Sequence, residues 1–127
     1  MHEKRVEIRW SDLDAFGHVH NAVYSVYLEE CRDEWLEGAL GGGESAWDFV
    51  IARVAVDFRR ELRLEDGAVV VRCRLERLGT SSVTTREEIR AGDELAAEAE
   101  AVLVPRGENG ASRPLTPAER AALEGSR

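Results

Sequence analysis

The sequence predicts an α+β domain in which a five-stranded antiparallel sheet wraps around one long helix, followed by a short C-terminal helix. Two observations lead to this prediction: one long segment has the apolar period of a helix, and five others have the period or composition of strands. A helix with one broad apolar face has to bury it, and a single sheet covers it economically. With 127 residues, the chain can build one core but not two, so residues 1–127 are expected to form a single domain.

The first strand and the long helix are separated by a polar loop. Residues 3–10 alternate, and the apolar side chains share one side: Val6, Ile8 and Trp10. After the loop, five side chains recur at the spacing of one helical face: Tyr24, Tyr27, Leu28, Cys31 and Trp35. We expect Asn21 to cap this helix. We expect the helix to run to about Glu37 and to stop at Gly38 in a left-handed conformation.

The other face of the long helix carries a single arginine, Arg32, among five acidic residues: Glu29, Glu30, Asp33, Glu34 and Glu37. Charged side chains on one helical face are usually solvated, so this face is predicted to lie in solvent. The glycine-rich residues 38–45 that follow predict a flexible turn.

Four more segments have the branched, aromatic or alternating composition of strands: residues 47–58, 68–77, 82–90 and 94–104. Their predicted inner sides carry Val50, Ala52, Val54, Val56 and Phe58, then Val69, Val71, Cys73 and Leu75, and in the last strand Ala97, Ala99, Ala101 and Leu103. The turn at residues 91–93 joins the last two strands as a hairpin. Phe49 and Ile51 are then expected to point to the other face of the sheet, where a partner subunit covers part of it.

The C-terminal helix is predicted from its first residues. Thr116 and Glu119 have the spacing of a capping box, and Pro117 stands at the first helical position. The helix should run to about Leu123.

Composition excludes several classes of protein. The net charge of −8 argues against general nucleic-acid binding, which needs clustered cations. The N-terminus lacks the apolar run of a signal peptide, and no stretch of eighteen apolar residues could cross a bilayer, so a cytoplasmic protein is expected. Cys31 and Cys73 have neither metal-ligand nor CxxC spacing, which predicts buried, reduced thiols and no metal site.

The loop before the long helix is dense in polar chemistry. It holds a D-x-D-x-x-G-H-V-x-N-x-x-Y-x-x-Y-x-E-x-x-R pattern that begins at Asp12, Asp14, Gly17, His18, Val19 and Asn21 and continues through Tyr24, Tyr27, Glu29 and Arg32. This segment resembles the hotdog-fold acyl-CoA thioesterases of the 4-hydroxybenzoyl-CoA thioesterase type. The resemblance extends in element order through Val104, and Ser81 and Ser82 after Leu78 and Gly79 match a further stretch of that family. Two positions depart from the family: Glu61 stands where many relatives have proline, and Asp66-Gly67 stands where they have Gly-Asp.

The resemblance implies a hydrolase that splits a coenzyme A thioester into a carboxylate and a free thiol. It implies that coenzyme A is part of the substrate, so that no separate cofactor is needed. It also implies a homodimer or homotetramer with active sites at subunit interfaces. The catalytic aspartate of the family falls on Asp14.

Elementary chemistry agrees with that assignment. Asp14 can attack the thioester carbonyl as a nucleophile or deprotonate a water as a general base, and the sequence leaves both open. The first turn of the helix, about residues 20–23, presents free N–H groups to a developing oxyanion. Gly17 permits a turn and a close approach of the substrate, and His18 lines the pocket or steadies the loop. Asn21 is first a cap, with a second role in orienting Asp14.

Other polar residues receive more peripheral assignments. Asp12 is expected to hydrogen-bond the loop backbone, and His20 is left without a role. Arginines at the rim could meet the coenzyme A phosphates: Arg59, Arg60, Arg63 and Arg106. Ser82 is expected to contact the thioester of the neighbouring subunit, as its region does in the family.

Three alternatives remain open. A hotdog hydratase or dehydratase would pair His18 with Asp14 to move a proton beside the carbonyl, and it would release no thiol. A non-catalytic acyl-CoA-binding protein would need no carboxylate at position 14. A further version places the working carboxylate on the helix, at Glu29 or Glu30. The acyl group is not readable from the sequence.

Overall fold

The computed structural model describes residues 1–42, 46 and 48–127. Its helices and strands follow the chain in this order: β1 (His2–Glu7), α1 (Asn21–Ala39), β2 (Phe49–Phe58), β3 (Ala68–Leu78), β4 (Val83–Ala91), β5 (Glu94–Pro105) and α2 (Pro117–Glu124). Single-turn 3-10 helices at Trp10–Asp12 and Leu64–Asp66 lie in the connections after β1 and β2. The five strands form one antiparallel sheet in the order β1-β3-β4-β5-β2. Trp47, where the sequence placed the start of β2, lies outside the described residues.

Helix α1 packs across β1, β3 and β4 and buries the face that the sequence predicted. All five residues of that face are buried: Tyr24, Tyr27, Leu28, Cys31 and Trp35. The predicted inner sides of β3 and β5 are buried as well, and Gly92 turns the β4–β5 hairpin at a φ of +60°. The predicted architecture, one sheet wrapped around one long helix, is therefore confirmed.

Strand β1 is shorter than predicted. Val6 and Ile8 are buried, but the strand ends at Glu7, and Trp10 begins a 3-10 turn with 79% of its surface exposed. The placement of Trp10 on the inner side of the strand is wrong, because the chain has already turned away from the sheet at that point.

Both predicted ends of α1 are also wrong. Asn21 is the first helical residue, and the cap is His20, whose Nδ1 accepts a hydrogen bond from the Ala22 amide at 3.1 Å. At the other end, Gly38 lies inside the helix, which continues to Ala39. The left-handed residues are Gly41 and Gly42, at φ of +77° and +73°. Residues 43–45, the rest of the predicted turn, lie outside the described part of the chain.

Strand β2 contains an irregularity that the alternation did not reveal. Its pairing with β5 skips one residue between Ile51 and Arg53, as in a β-bulge, so Ala52 has no opposite residue. Because opposite residues of an antiparallel pair share a face, the inner residues are Phe49, Ile51, Val54, Val56 and Phe58. The prediction that Phe49 and Ile51 point to the other face is therefore wrong, since one extra residue reverses the alternation.

Arg32 does not belong to the solvated face of α1. It is 2% exposed and makes a two-pronged ion pair with Glu87 of β4, with Nε–Oε2 at 2.7 Å and Nη2–Oε1 at 2.9 Å. The Thr85 hydroxyl donates to the same carboxylate at 2.7 Å. The acidic residues around Arg32 are exposed as predicted, so the acidic face and the buried arginine are separate features of α1.

Helix α2 begins with the predicted capping box. Thr116 Oγ1 accepts from the Glu119 amide at 3.0 Å, and Glu119 Oε1 accepts from the Thr116 amide at 2.9 Å. Pro117 occupies the first turn, and the helix ends at Glu124, one residue beyond the predicted end.

Candidate active site

The loop between β1 and α1 folds back on itself around Asp14. Leu13 and Val19 form an antiparallel bridge across its base, and Gly17 turns it at a φ of +83°. The Asp14 amide donates to the His18 carbonyl at 2.7 Å. In return, Asp14 Oδ1 accepts from the amides of His18 at 3.1 Å and Phe16 at 2.9 Å. Gly17 thus acts as a turn residue, as predicted, and the loop holds one oxygen of the carboxylate in place.

The same contacts set the charge of Asp14. Partial burial raises the pKa of the carboxyl, but the two amide hydrogen bonds and the nearby His18 and His20 outweigh it and hold the pKa below its usual value. Asp14 is half-buried, so the ionised carboxylate is fixed in position while remaining in reach of a ligand.

Asp12 has a different environment. It is buried, and Oδ2 accepts from the Tyr27 hydroxyl at 2.7 Å and from the Arg9 amide at 3.0 Å, while Oδ1 accepts from the Arg9 guanidinium at 3.1 Å. Burial raises the pKa of Asp12, and these hydrogen bonds lower it by more. The hydrogen bond from the Arg9 amide is the backbone contact that the sequence predicted for Asp12. The hydrogen bond from Tyr27 additionally ties the loop to α1.

The N-terminal amides of α1 are largely occupied. The His20 amide donates to the Asp12 carbonyl at 2.9 Å, the Ala22 amide to His20 Nδ1, and the Val23 amide to the His20 carbonyl at 2.8 Å. Of the amides at 20–23, that of Asn21 is the one without an acceptor in the part of the chain that the structure describes. No hydrogen bond between Asn21 and Asp14 occurs there either, so the structure gives no support to an orienting role for the Asn21 side chain.

The connection from β2 to β3 packs against this loop. The Val19 amide donates to the Leu62 carbonyl at 2.8 Å, and the Tyr24 hydroxyl donates to the Arg60 carbonyl and accepts from the Leu62 amide, both at 3.0 Å. The Tyr24 ring also meets Phe58 edge-to-face, with centroids 5.1 Å apart. Tyr24 is thus the core residue that its spacing predicted, and its hydroxyl additionally anchors the second loop.

His18 faces that second loop with its side chain. Its Nε2 lies 3.3 Å from Glu61 Oε2 and 3.1 Å from Arg63 Nη2, and these two side chains also contact each other at 3.0 Å. Sequence reasoning missed both partners. Glu61 was noticed only as a departure from the family pattern, because no local signal links residue 61 to residue 18.

Three of the four arginines proposed for phosphate contact have carboxylate partners. Arg59 pairs with Glu98 at 2.9 Å, and Arg60 pairs with Asp66 at 2.9 Å and Glu94 at 3.1 Å. Arg63 is held by Glu61, as described above, and Arg106 is exposed at the end of β5.

Ser82 lies far from Asp14 within one chain. It sits at the turn between β3 and β4, whereas the start of β3 adjoins the Asp14 side of the molecule through the hydrogen bond from the Ile8 amide to the Gly67 carbonyl. Strand β3 has 11 residues, so the two ends are about 30 Å apart. One chain therefore does not bring Ser82 and Asp14 together.

Within residues 1–42, 46 and 48–127, no three His, Cys, Asp or Glu side chains are grouped so as to hold a metal ion. No helix among those residues is long and apolar enough to span a membrane.

Comparison with solved structures gives close matches over nearly the whole chain. A thioesterase from Thermus thermophilus, crystallised in complex with coenzyme A and Zn, is 34% identical, with a TM-score of 0.90 over 98% of this chain and 92% of that one. A predicted thioesterase from Bacillus stearothermophilus is 26% identical, with a TM-score of 0.89 over 98% and 95%. The DHNA-CoA thioesterase from Staphylococcus aureus is 16% identical and shares the fold, with a TM-score of 0.85 over 98% and 89%.

Comparison with curated proteins gave no match. The family comparison did: the thioesterase-like superfamily matches residues 8–122, which include the Asp14 loop, all of α1 and the sheet from β2 to β5. The chain therefore belongs to the thioesterase-like superfamily, and it is a thioester hydrolase with a hotdog fold.

Proposed function

We propose that the substrate is an acyl-coenzyme A and that Asp14 carries out the hydrolysis. The coenzyme A bound to the Thermus thermophilus thioesterase, which is 34% identical to this chain, supports that substrate class. The observation that carries the role of Asp14 is its environment: an ionised carboxylate fixed by two backbone amides, in the loop that leads into the N-terminus of α1.

Asp14 acts as the nucleophile in this proposal. Its carboxylate attacks the thioester carbonyl, and the C–S bond breaks to expel the thiolate and leave a mixed anhydride with Asp14. Water then hydrolyses the anhydride to the carboxylate product and free Asp14, and a proton released from that water converts the thiolate to the thiol. The lowered pKa of Asp14 keeps the carboxylate ionised at neutral pH, which this route requires.

The backbone amide of Asn21 is the proposed oxyanion donor. Its N–H is free among the described residues, and it stands at the first position of α1, where the helix dipole favours negative charge. The role assigned to Asn21 thus moves from its side chain to its main chain. His18 contributes through its amide, which holds Asp14, and Gly17 through the turn that brings that amide into place.

We further propose that the working form is a homodimer joined along β2. This strand lies at the edge of the sheet and exposes apolar side chains, including Ile51 at 43% and Phe58 at 49%. Long apolar edges of this kind are templates for pairing with another strand. A second copy could also bring its Ser82 to the Asp14 loop, which the distance within one chain prevents.

Charge complementarity favours one register for the pairing of the two β2 strands in this dimer. If two β2 strands run antiparallel about a two-fold axis at Ala55, Arg53 lies opposite Asp57 of the partner subunit, and Val54 opposite Val56 of the partner subunit. Arg53 and Asp57 occupy the same outer face of β2, so the cross-strand ion pair can form.

For the coenzyme A phosphates, Arg59 is a better candidate than Arg60. It is half-exposed with a single carboxylate partner, whereas Arg60 is held by two. A phosphate has less to displace at Arg59.

Thiol release from a panel of short, long and aromatic acyl-CoAs tests the proposed activity. A thiol-reactive dye suits the protein because Cys31 and Cys73 are buried, and burial raises the pKa of the Cys31 thiol to about 12. We expect free coenzyme A to accumulate with at least one substrate. A protein that binds acyl-CoA without releasing thiol would contradict the proposal and favour the hydratase or the non-catalytic alternative.

A further inference from the structure

We propose that Glu61 and Arg63 are positioning residues for Asp14: they hold the His18 side chain, and the His18 backbone holds the carboxylate. The inference rests on the proposed function of Asp14, since positioning matters only if that carboxylate does the chemistry. It concerns two residues of the β2–β3 connection, and residue 61 is a position where this chain departs from the family pattern noted in its sequence.

The three side chains form a closed triangle of contacts. Glu61 Oε2, Arg63 Nη2 and His18 Nε2 lie 3.0 to 3.3 Å apart in every pairing. The imidazole therefore has a partner in either protonation state. When neutral with Nε2 unprotonated, it accepts from Arg63; when Nε2 carries a proton, it donates to Glu61.

The backbone of His18, in contrast, is hydrogen-bonded to Asp14. The His18 amide donates to Asp14 Oδ1 at 3.1 Å, and the His18 carbonyl accepts from the Asp14 amide at 2.7 Å. An isolated β-bridge between His18 and Arg63 adds a main-chain link to the second loop. Within the described chain, neither Glu61 nor Arg63 hydrogen-bonds Asp14, so their influence on the carboxylate has to pass through His18.

Stability alone does not account for this cluster. The Glu61 and Arg63 side chains are about half exposed, at 59% and 47%, and that of His18 is 30% exposed. Ion pairs this exposed contribute little to folding. The triangle restrains the imidazole, and in this proposal that restraint also steadies the His18 backbone that contacts Asp14.

Glu61→Gln and Arg63→Gln test the inference, with Glu65→Gln as the matched control. Glu65 lies in the same connection and is exposed, and its replacement removes the same charge as Glu61→Gln. Among the described residues, no hydrogen bond or ion pair joins Glu65 to His18. We expect Glu61→Gln and Arg63→Gln each to lower kcat about fivefold, the scale of one exposed ion-pair contact, with KM within about twofold of wild type. Glu65→Gln should leave both constants unchanged.

A double-mutant cycle tests whether Glu61 acts on Asp14 through the His18 side chain. In a His18→Ala background, Glu61→Gln should cause no further loss of kcat, because the imidazole that it holds is gone. A second loss of about fivefold in that background would show that Glu61 acts on the substrate or on Asp14 directly, and it would overturn the inference.

A readout that needs no activity separates the two proposals. The solvent exchange rate of the His18 amide, measured by NMR, should rise in Glu61→Gln and Arg63→Gln and stay at the wild-type value in Glu65→Gln. An unchanged rate in the first two variants would overturn the positioning of His18, whatever the activity. A faster rate with an undiminished kcat would also overturn the inference, because hydrolysis would then not depend on how His18 holds Asp14. The proposed function would be untouched by that result, and it fails only if Asp14→Asn keeps the wild-type activity.

Discussion

Two aspartates two positions apart, Asp12 and Asp14, have opposite surroundings. Asp12 is buried and accepts a hydrogen bond from a tyrosine hydroxyl, so it fastens the loop to the core. Asp14 is half-buried and accepts hydrogen bonds from loop amides, so its position is fixed while part of it stays accessible. The first environment suits a structural carboxylate and the second a reacting one.

The pKa of Asp14 determines how the activity should depend on pH. Its folded value lies below the usual value of 3.8, because the amides of His18 and Phe16 outweigh the effect of burial. The reacting form is the carboxylate, so activity is present above that lowered pKa and is lost as pH falls through it. We expect the pH profile of kcat/KM to show no acid limb from this group between about pH 5 and 7. An acid limb in that range that Asp14→Asn removes from the residual activity would contradict this assignment.

Removing Asp12 should reduce stability. Asp12→Ala leaves the buried Tyr27 hydroxyl and the Arg9 amide without their acceptor, which costs about 1–3 kcal/mol of the free energy of unfolding. Because the folded pKa of Asp12 is lowered, its contribution is present above the unfolded pKa of about 3.9 and is lost as pH falls through the folded value. Urea unfolding at neutral and acidic pH measures both effects. A loss that stays constant through the acid range would argue against an ionised Asp12.

At the scale of elements, α1 is joined to the sheet by the buried pair of Arg32 and Glu87. Arg32→Ala leaves the Glu87 carboxylate buried without its cation, and we expect a loss of about 3–5 kcal/mol in the free energy of unfolding. Urea denaturation measures it. Arg5→Ala, which breaks an exposed pair with Glu7, is the control and should change stability by less than about 0.5 kcal/mol.

A double replacement gives the buried pair a second test. Arg32→Met combined with Glu87→Leu removes both charges and should cost less than Arg32→Ala alone, since no buried charge is left unpaired. A double variant that is less stable than Arg32→Ala would mean that packing, and not the uncompensated charge, dominates at this contact.

The sequence predicted each element whose faces are set by side-chain period, and it failed where one residue changes the geometry. The burial of α1 and β3 follows directly from apolar spacing, and the capping box of α2 is local. The bulge at Ala52 could not be predicted in this way. It reverses the two faces of β2, and no proline or glycine in the strand marks its position. His20 replaced Asn21 as the cap because an imidazole nitrogen can also accept an amide hydrogen bond.

The residues of the candidate site also fall into those that a local sequence motif reveals and those that only the fold brings together. Asp14, Gly17 and His18 are found within five consecutive residues, so a motif could reveal them. Glu61 and Arg63 contact His18 from more than forty positions away in the chain, and only the fold brings those contacts about. Arg32 was predicted to be a surface residue because its partner, Glu87, is 55 positions away in the sequence.

At the scale of the whole molecule, the exposed β2 edge predicts assembly. In the proposed dimer, Asp57→Arg should put an arginine opposite Arg53 of the partner subunit at both symmetry-related positions. We expect the dissociation constant of the dimer to rise by about tenfold or more. Sedimentation equilibrium measures the change. Combining Asp57→Arg with Arg53→Asp should restore the wild-type dissociation constant, because the cross-strand pair is rebuilt with its charges exchanged. Equal dimerisation of wild type and Asp57→Arg would contradict this register.

The proposed hydrolysis depends on the charge of the Asp14 carboxylate, and Asp14→Asn removes that charge alone. The substitution keeps an oxygen that can accept hydrogen bonds from the amides of His18 and Phe16. It removes the negative charge that makes the side chain a nucleophile. Steady-state thiol release from the best acyl-CoA of the panel should fall by about a hundredfold or more, while the urea midpoint stays close to that of wild type. Thiol release by Asp14→Asn at the wild-type rate, from an equally stable protein, would show that the Asp14 carboxylate does not carry out the hydrolysis.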